Sequence, residues 1–336
     1  MQHADYFNAF LKDTVNLSQF KLDTLSNRVD TIYAALKVDP ELGPLIVKKI
    51  PQGSWAQRTI INPQKGKEFD ADFMLQLSEN PDWSDNVKEY RNAIYRALEN
   101  NSTYADMPHE KKCRCIRLVY ANSMHVDIVP FLILDGGRQV IVNADDNEWE
   151  TTDPAGFTAW MREKDGIANG NLRKVIRILK YLRDHKNSFT GTRSIILTTV
   201  LGKQVDQFNK IVDPGYYSNV PTTLLNLVKD LDEWLQANWI KPPIPDPSGS
   251  GVTFDHRWTE ATYSYFRDRI HTHASEIEDA FHETDPDRSV AKWQRLFGDG
   301  FKAPATSTNG SKFPATGVGA AGAGAATSTS RSGRAG

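Results

Sequence analysis

The sequence predicts an α+β protein in which a mixed-sheet lobe packs against a lobe of helices. Three observations predict it. Short apolar runs of strand length fall at 45–50, 69–77, 113–120, 125–134 and 138–142. From about residue 153 the apolar residues instead recur at three- and four-residue intervals. Strands therefore precede helices along the chain rather than alternating with them, the order of an α+β protein.

Each element follows from its own pattern. Residues 5–37 read as helical, because Phe7, Phe10, Leu11, Leu22, Leu25, Val29, Ile32 and Leu36 recur at helical spacing and Asp39-Pro40 ends the run. Residues 69–77 read as a buried strand with Phe69, Ala71 and Phe73 on one face and Asp70 and Asp72 on the other. Residues 84–99 suit a helix capped by Ser84 or Asp85, with Val87, Tyr90, Ile94, Tyr95 and Leu98 as its apolar stripe. The runs 113–120 and 125–134, joined by Ala121-Asn122-Ser123-Met124, read as a hairpin, and Gly136-Gly137 turns the chain into 138–142. Helices are expected over 170–187, 193–208, 221–238, 257–282 and 287–297. Residues 303–336 are mostly Ala, Gly, Ser and Thr with Lys312, Arg331 and Arg334 and no acids, too little apolar area to offset chain entropy, so a disordered tail is expected. The expected division is 1–165, 166–302 and 303–336.

Composition narrows the function. A net charge of −2 gives no global basic field for nucleic acid. The two cysteines, Cys113 and Cys115, lack further Cys or His partners at zinc-site spacing and read as reduced strand cysteines. The start Met1-Gln2-His3-Ala4-Asp5 lacks a signal segment, and no apolar run approaches the ~20 residues that span a membrane, so the cytoplasm is expected. His271 and His273 fall on different faces of a helix and are not a ligand pair. Trp55, Trp258 and Trp293 read as core or interface aromatics.

The chemistry lies in a set of small motifs. Gly53-Ser54 precedes Glu68-Phe69-Asp70-Ala71-Asp72-Phe73 by some fifteen residues, and a third aspartate sits in His125-Val126-Asp127-Ile128-Val129-Pro130. Two carboxylates two apart on a strand face, with a third on a neighbouring strand, suit a pair of hard divalent cations, which take oxygen ligands. Asp127 is also placed to help deprotonate an attacking hydroxyl. Gly53 permits a tight turn that brings N–H groups near phosphate oxygens, and Ser54 adds a donor. Lys180, after Val175-Ile176-Arg177-Ile178-Leu179, supplies a compact cation for a triphosphate, and Ser194, after Gly191-Thr192-Arg193, can donate to the same oxygens. The set as a whole points to metal-dependent nucleotidyl transfer.

These residues resemble the bacterial cGAS/DncV-like nucleotidyltransferases, the CD-NTases of anti-phage CBASS systems. The likeness continues through Val175–Leu182, through Ser194-Ile195-Ile196-Leu197, through Ile244-Pro245-Asp246-Pro247 to Trp258 and Ala261, and through Trp293-Gln294-Arg295-Leu296-Phe297-Gly298, covering roughly residues 40–300. The resemblance implies a polymerase-β-like nucleotidyltransferase core, bilobed with the active site in the cleft. It implies a Mg²⁺-dependent synthase that joins NTPs, ATP among them, into a cyclic di- or trinucleotide acting through a downstream effector. It assigns metal binding to Asp70, Asp72 and Asp127, with two Mg²⁺ ions expected, and triphosphate binding to Gly53, Ser54, Lys180 and Ser194.

The chain also departs from the family pattern. The zinc-binding insertion of animal relatives is absent, so DNA activation is not expected. Ile195 stands where some relatives carry a base-stacking aromatic, so stacking must come from elsewhere. The basic tail ending at Gly336 resembles members conjugated to targets by a ubiquitin-type conjugating enzyme. Two alternatives stay open: a transferase that modifies a small molecule, protein or RNA end, and a catalytically silent nucleotide-binding scaffold.

Overall fold

In the computed structural model, which describes residues 1–64, 69–121 and 124–305, the strand-forming runs of the first half build a seven-stranded mixed sheet. Glu68, Asn122, Ser123 and the tail from residue 306, with Lys312, Arg331, Arg334 and Gly336, lie outside the described residues.

The N-terminal stretch expected as one helix is two. The first, α1 (Ala4–Phe10), runs on through a wider turn over Leu11–Val15, and α2 is Gln19–Lys37. Between them Asn16 is extended, and the Ser18 hydroxyl accepts a hydrogen bond from the Lys21 N–H to cap α2. The apolar stripes explain the break. Phe7, Phe10, Leu11 and Val15 join the core of the later helices, whereas Leu25, Val29, Ile32 and Leu36 pack on the sheet. One straight helix cannot bury both.

Strand β1 (Ile46–Gln52) leads into a one-turn helix, α3 (Gly53–Ala56), and β2 is Phe69–Leu77. Helix α4 (Glu89–Glu99) starts later than the expected residue 84, because a 3₁₀ turn over Pro81–Trp83 sets Trp83 edge-on against Tyr90. There follow β3 (His109–Lys111), β4 (Ile116–Tyr120), β5 (Met124–Ile133), β6 (Gln139–Asn143) and β7 (Glu148–Thr151). The order across the sheet is β1-β2-β5-β4-β3, and β6 takes up the C-terminal part of β5 and pairs with β7. Among the described residues only β2 and β5 run parallel; the other pairs are antiparallel.

The period of two then sorts the faces. Ala71, Phe73, Leu75, Ile116, Leu118, Val126 and Ile128 bury against α2 and α4. The opposite face carries Asp70, Asp72 and Asp127, beside a small apolar patch of Met74, Cys115, Val129 and Phe131.

The second half is helical: α5 (Pro154–Ile167), α6 (Leu172–His185), α7 (Ser194–Lys203), α8 (Gln207–Val212), α9 (Val220–Ala237), α10 (Glu260–His282) and α11 (Pro286–Phe297). The expected helix 193–208 is thus split, with Asp206 capping α8. Trp258 and Trp293 are buried in this core, and Trp55 packs half-buried on the sheet core. Helix α1 seals the helical core through Phe7, edge-on to Trp293 and to Phe301 at 5.0 Å each. His271 is exposed and pairs with Asp232, while His273 is buried, so the two histidines share no site. Both cysteines are free. Among the described residues no helix is long and apolar enough to cross a membrane.

Candidate active site

A cavity of about 760 Å³ opens where the carboxylate face of the sheet meets α6 and α7. Gly53, Ser54, Asp70, Asp72, Asp127, Lys180 and Ser194 all line it. The seven positions are scattered over some 140 residues of sequence, and the fold gathers them in one place.

The carboxylates owe their meeting to strand register. Asp72 on β2 lies directly beside Asp127 on β5, and Asp70 sits two residues earlier on the same face. Asp127 in turn lies opposite Arg117 on β4, whose Nε and Nη2 donate to its two oxygens at 2.8 and 2.7 Å. This is the two-pronged pairing that a planar guanidinium favours. Asp127 is buried and Asp70 exposed.

The Gly-Ser turn is shaped against these carboxylates. Gly53 has φ +60°, in the left-handed region, and a Cβ there would stand 2.4 Å from Asp72 Oδ2. Glycine therefore serves twice, for the turn and for the close approach of backbone to carboxylate. Beyond it the turn is closed by hydrogen bonds from Gln57 N to Gly53 O and from Thr59 N to Ser54 O.

Helix α6 holds the far end of that turn. Arg173, Arg177 and Lys180, spaced to share one helix face, donate to three consecutive carbonyls. Arg173 Nε reaches Gln57 O at 2.9 Å, Arg177 Nη1 reaches Arg58 O at 3.4 Å, and Lys180 Nζ reaches Thr59 O at 2.9 Å. Arg58 is itself left-handed at φ +56°, a conformation that costs a non-glycine residue energy and needs support. Arg173 is anchored by buried Asp165, which accepts from Arg173 Nη1 at 2.6 Å and from the Arg173 backbone N–H at 3.0 Å.

Ser194 opens α7, and its hydroxyl accepts from Arg183 at 3.3 Å. The loop before it is pinned from below. Ser188 Oγ takes a hydrogen bond from Arg269 Nε and lies 3.1 Å from His273 Nε2, while His273 Nδ1 lies 2.9 Å from Glu276 Oε2. That Ser-His-Glu chain has the spacing of a catalytic triad, but Ser188 and His273 are buried and neither lines the cavity. It acts as a brace for a loop with left-handed residues at Asn187 and Phe189.

Electrostatics set the two walls against each other. Burial, then the Asp70 and Asp127 charges, push Asp72 up to about 8, against the pull of Arg117 and Lys180. Burial, with Arg183 adding to it, brings Lys180 down to about 8. Each group stands short of opposite charge: a cation beside Asp72 would favour its ionised form, and a polyphosphate beside Lys180 would favour the ammonium. Cys115, pushed up to about 12 by burial and by Asp127, stays a neutral thiol.

The donor chemistry of the three carboxylates fits a hard divalent cation such as Mg²⁺, and such an ion would offset both the burial and the neighbouring carboxylate charges that raise Asp72. Among the described residues, however, no group of three or more His, Cys, Asp or Glu side chains is arranged to hold an ion. The Asp127 carboxylate is the one whose two oxygens Arg117 already takes.

The sequence reading missed Arg117, Arg173 and Phe254. Arg117 had a signal, the alternation Cys115-Ile116-Arg117-Leu118, which places it on the polar phase of its strand. Phe254 lies half-buried on the cavity wall, edge-on to Phe157 at 6.2 Å, and offers the aromatic surface that Ile195 does not. No local pattern announces it.

Comparison with known proteins bears on the fold and the family. The model of the Second Messenger Oligonucleotide or Dinucleotide Synthetase domain matches residues 1–165. The chain is 23% identical over 300 residues to a cyclic AMP-AMP-AMP synthase of Acinetobacter sp., covering 88% of this chain and 84% of that one. It is 30% identical over 168 residues to a c-di-GMP synthase of Roseivirga ehrenbergii, a match spanning 48% of this chain and 43% of the other. Among solved structures, the Vibrio cholerae DncV cyclic AMP-GMP synthase superposes with a TM-score of 0.71 at 15% identity, covering 90% and 97% of the two chains. E. coli CdnC with ATP superposes at 0.67 and 19% identity, covering 89% and 98%. At these identities the structural likeness establishes the fold.

Proposed function

We infer that this chain, which belongs to the CD-NTase family of nucleotidyltransferases, joins NTPs into a cyclic oligonucleotide second messenger. The observation that carries this reading is the convergence of three aspartates, a left-handed glycine turn, a buried lysine and a helix-opening serine on one cavity. ATP is the first substrate proposed, because the relative matched over most of both chains is named a cyclic AMP-AMP-AMP synthase.

In this reading Asp70, Asp72 and Asp127 would hold a pair of Mg²⁺ ions, which supply charge neutralisation at the attacking hydroxyl and the leaving pyrophosphate. Gly53 and Ser54 offer backbone and hydroxyl donors to the triphosphate, and Lys180 and Ser194 meet it from the helical side. Lys180 gives up part of its hydrogen bonding to Thr59 O, or shares it, to do so. Asp127 takes the proton of the attacking hydroxyl. Released product would act on a downstream effector in anti-phage (CBASS) defence.

The test is a purified-protein assay with all four labelled NTPs and Mg²⁺, followed by phosphatase treatment and mass spectrometry, beside an Asp70→Ala/Asp72→Ala control. The expected result is a phosphatase-resistant cyclic product that the control does not make. A product that forms only when a small molecule, protein or RNA acceptor is added overturns the cyclase reading in favour of an acceptor-modifying transferase.

A further inference from the structure

The carboxylate row contains a group that nucleotidyl transfer does not itself require. Across the sheet face the side chains run Asp72, Asp127, Arg117, each directly opposite the next on β2, β5 and β4. Arg117 is not a loosely placed surface charge. Its guanidinium holds both Asp127 oxygens, at 2.8 and 2.7 Å, and the Asp127 side chain is 11% exposed. A cation that used Asp127 would need at least one of those oxygens. It would also sit beside a fixed positive charge.

We propose that Arg117 is a built-in counterion that occupies the third carboxylate in place of a metal ion and thereby sets how tightly the Asp127 side of the site takes its cation. This rests on the reading of the cavity as a metal-dependent transferase site. Asp70 and Asp72 have no such guanidinium partner among the described contacts, so the two halves of the row differ in cation affinity. Arg117 supports the row when no metal is present, because three carboxylates that close repel one another. It yields Asp127 weakly to an ion alone, and more readily when the nucleotide's own phosphate charge accompanies that ion. Arg117 is therefore a positioning residue that acts through Asp127. It makes full loading of the site depend on substrate and cation together.

The probe is Mn²⁺ alone, titrated into the full-length, nucleotide-free chain and followed by calorimetry and by the loss of free Mn²⁺ EPR signal. Wild type is expected to bind one ion and a second more weakly. Arg117→Met is expected to tighten the weaker ion by about tenfold, roughly the effect of losing one competing ion pair. Asp127→Asn is expected to remove that ion in both backgrounds. Thermal unfolding adds a second readout: without Mn²⁺ the Arg117→Met protein melts below wild type, yet gains more from added Mn²⁺. If Arg117→Met does not fold, Arg117→Lys carries the test, since a lysine keeps the charge but cannot hold both oxygens, and a smaller tightening is expected. Mn²⁺ binding by wild type that is unchanged or weaker in the Arg117 variants overturns the inference and leaves the transferase reading standing. No Mn²⁺ bound by wild type, even with a nonhydrolysable ATP analogue, overturns both.

Discussion

The two walls of the cavity carry opposite charges and hold them in opposite ways. On the sheet wall, burial and then the Asp70 and Asp127 charges push Asp72 up to about 8. On the helix wall, Lys180 already donates to the Thr59 carbonyl, and Arg173 and Arg177, which share its helix but do not line the cavity, donate to those of Gln57 and Arg58. The sheet wall therefore stores repulsion that a cation would relieve, while the helix wall stores positive charge in a scaffold. The Gly-Ser turn lies between them, with Gly53 backed onto Asp72 and Thr59 held by Lys180. Changes on the sheet wall should act on the chemical step. Changes on the helix wall should act on the hold on nucleotide.

The largest effect is expected where the walls meet. Gly53→Ala forces a Cβ into Asp72 and costs about 1–2 kcal/mol for a left-handed non-glycine residue. Because the clash displaces both the turn proposed to bind phosphate and a carboxylate, kcat/KM should fall about 100-fold or more. Gly137→Ala is the matched control: it has φ +82° but nothing within 4 Å of its Cβ. It should lose similar stability by thermal unfolding and keep its activity. Equal activity loss in the two variants would show that backbone strain alone, and not the contact with Asp72, explains Gly53.

The walls also differ in how legible they were. The carboxylates could be read because strand alternation is local: once Asp70 and Asp72 fall on the polar phase of an apolar run, their shared face follows. Their neighbour Arg117 carried the same alternation signal, but the expected register set it against the wrong residue. A loop of Ala121–Met124 between strands ending at 120 and starting at 125 would set Arg117 opposite Ile128, on the other phase. The strand instead begins at Met124, which pairs with Tyr120 and brings Arg117 to Asp127. A slip of one residue exchanges the faces. The latch on the helix wall was less legible still. The spacing of Arg173, Arg177 and Lys180 marks a cationic stripe, but its partners are carbonyls more than a hundred residues earlier, which carry no side-chain signature. The break between α1 and α2 was missed for a related reason, since the periodicity continues while the core it faces changes.

An intermediate effect is expected from the helix wall. Arg173→Met alone would strand the buried Asp165 charge and cost about 3–5 kcal/mol, confounding the result. The double variant Arg173→Met/Asp165→Asn removes both charges and should melt close to wild type. It still loses the bond to Gln57 O, so KM for NTP should rise about tenfold while kcat changes little, as when a group that only positions substrate is removed. A fall in kcat with KM unchanged would place the latch with the sheet wall and break the distinction.

The smallest effect is expected from the brace under the Ser194 loop, whose Ser188 and His273 do not line the cavity. Burial holds His273 below the ordinary histidine value, and Arg269 and Lys186 lower it further, against the raising influence of Glu276. A folded-state pKa below the unfolded one means the unfolded chain binds the proton first. Stability from His273 is therefore complete above about pH 6.5 and declines as pH falls below that value. The bonding gives the same sign. Neutral His273 accepts from Ser188 at Nε2, and protonation would reverse that hydrogen bond beside the Arg269 donor. The melting temperature of wild type should thus drop between about pH 7 and pH 5.5 more steeply than that of His273→Gln, which cannot take up the proton. The brace touches neither wall directly, so activity per folded molecule should follow the same pH profile in both proteins. A steeper acid loss of activity in wild type than in His273→Gln, at temperatures where both are folded, would mean that the brace reaches Ser194 and belongs functionally to the helix wall.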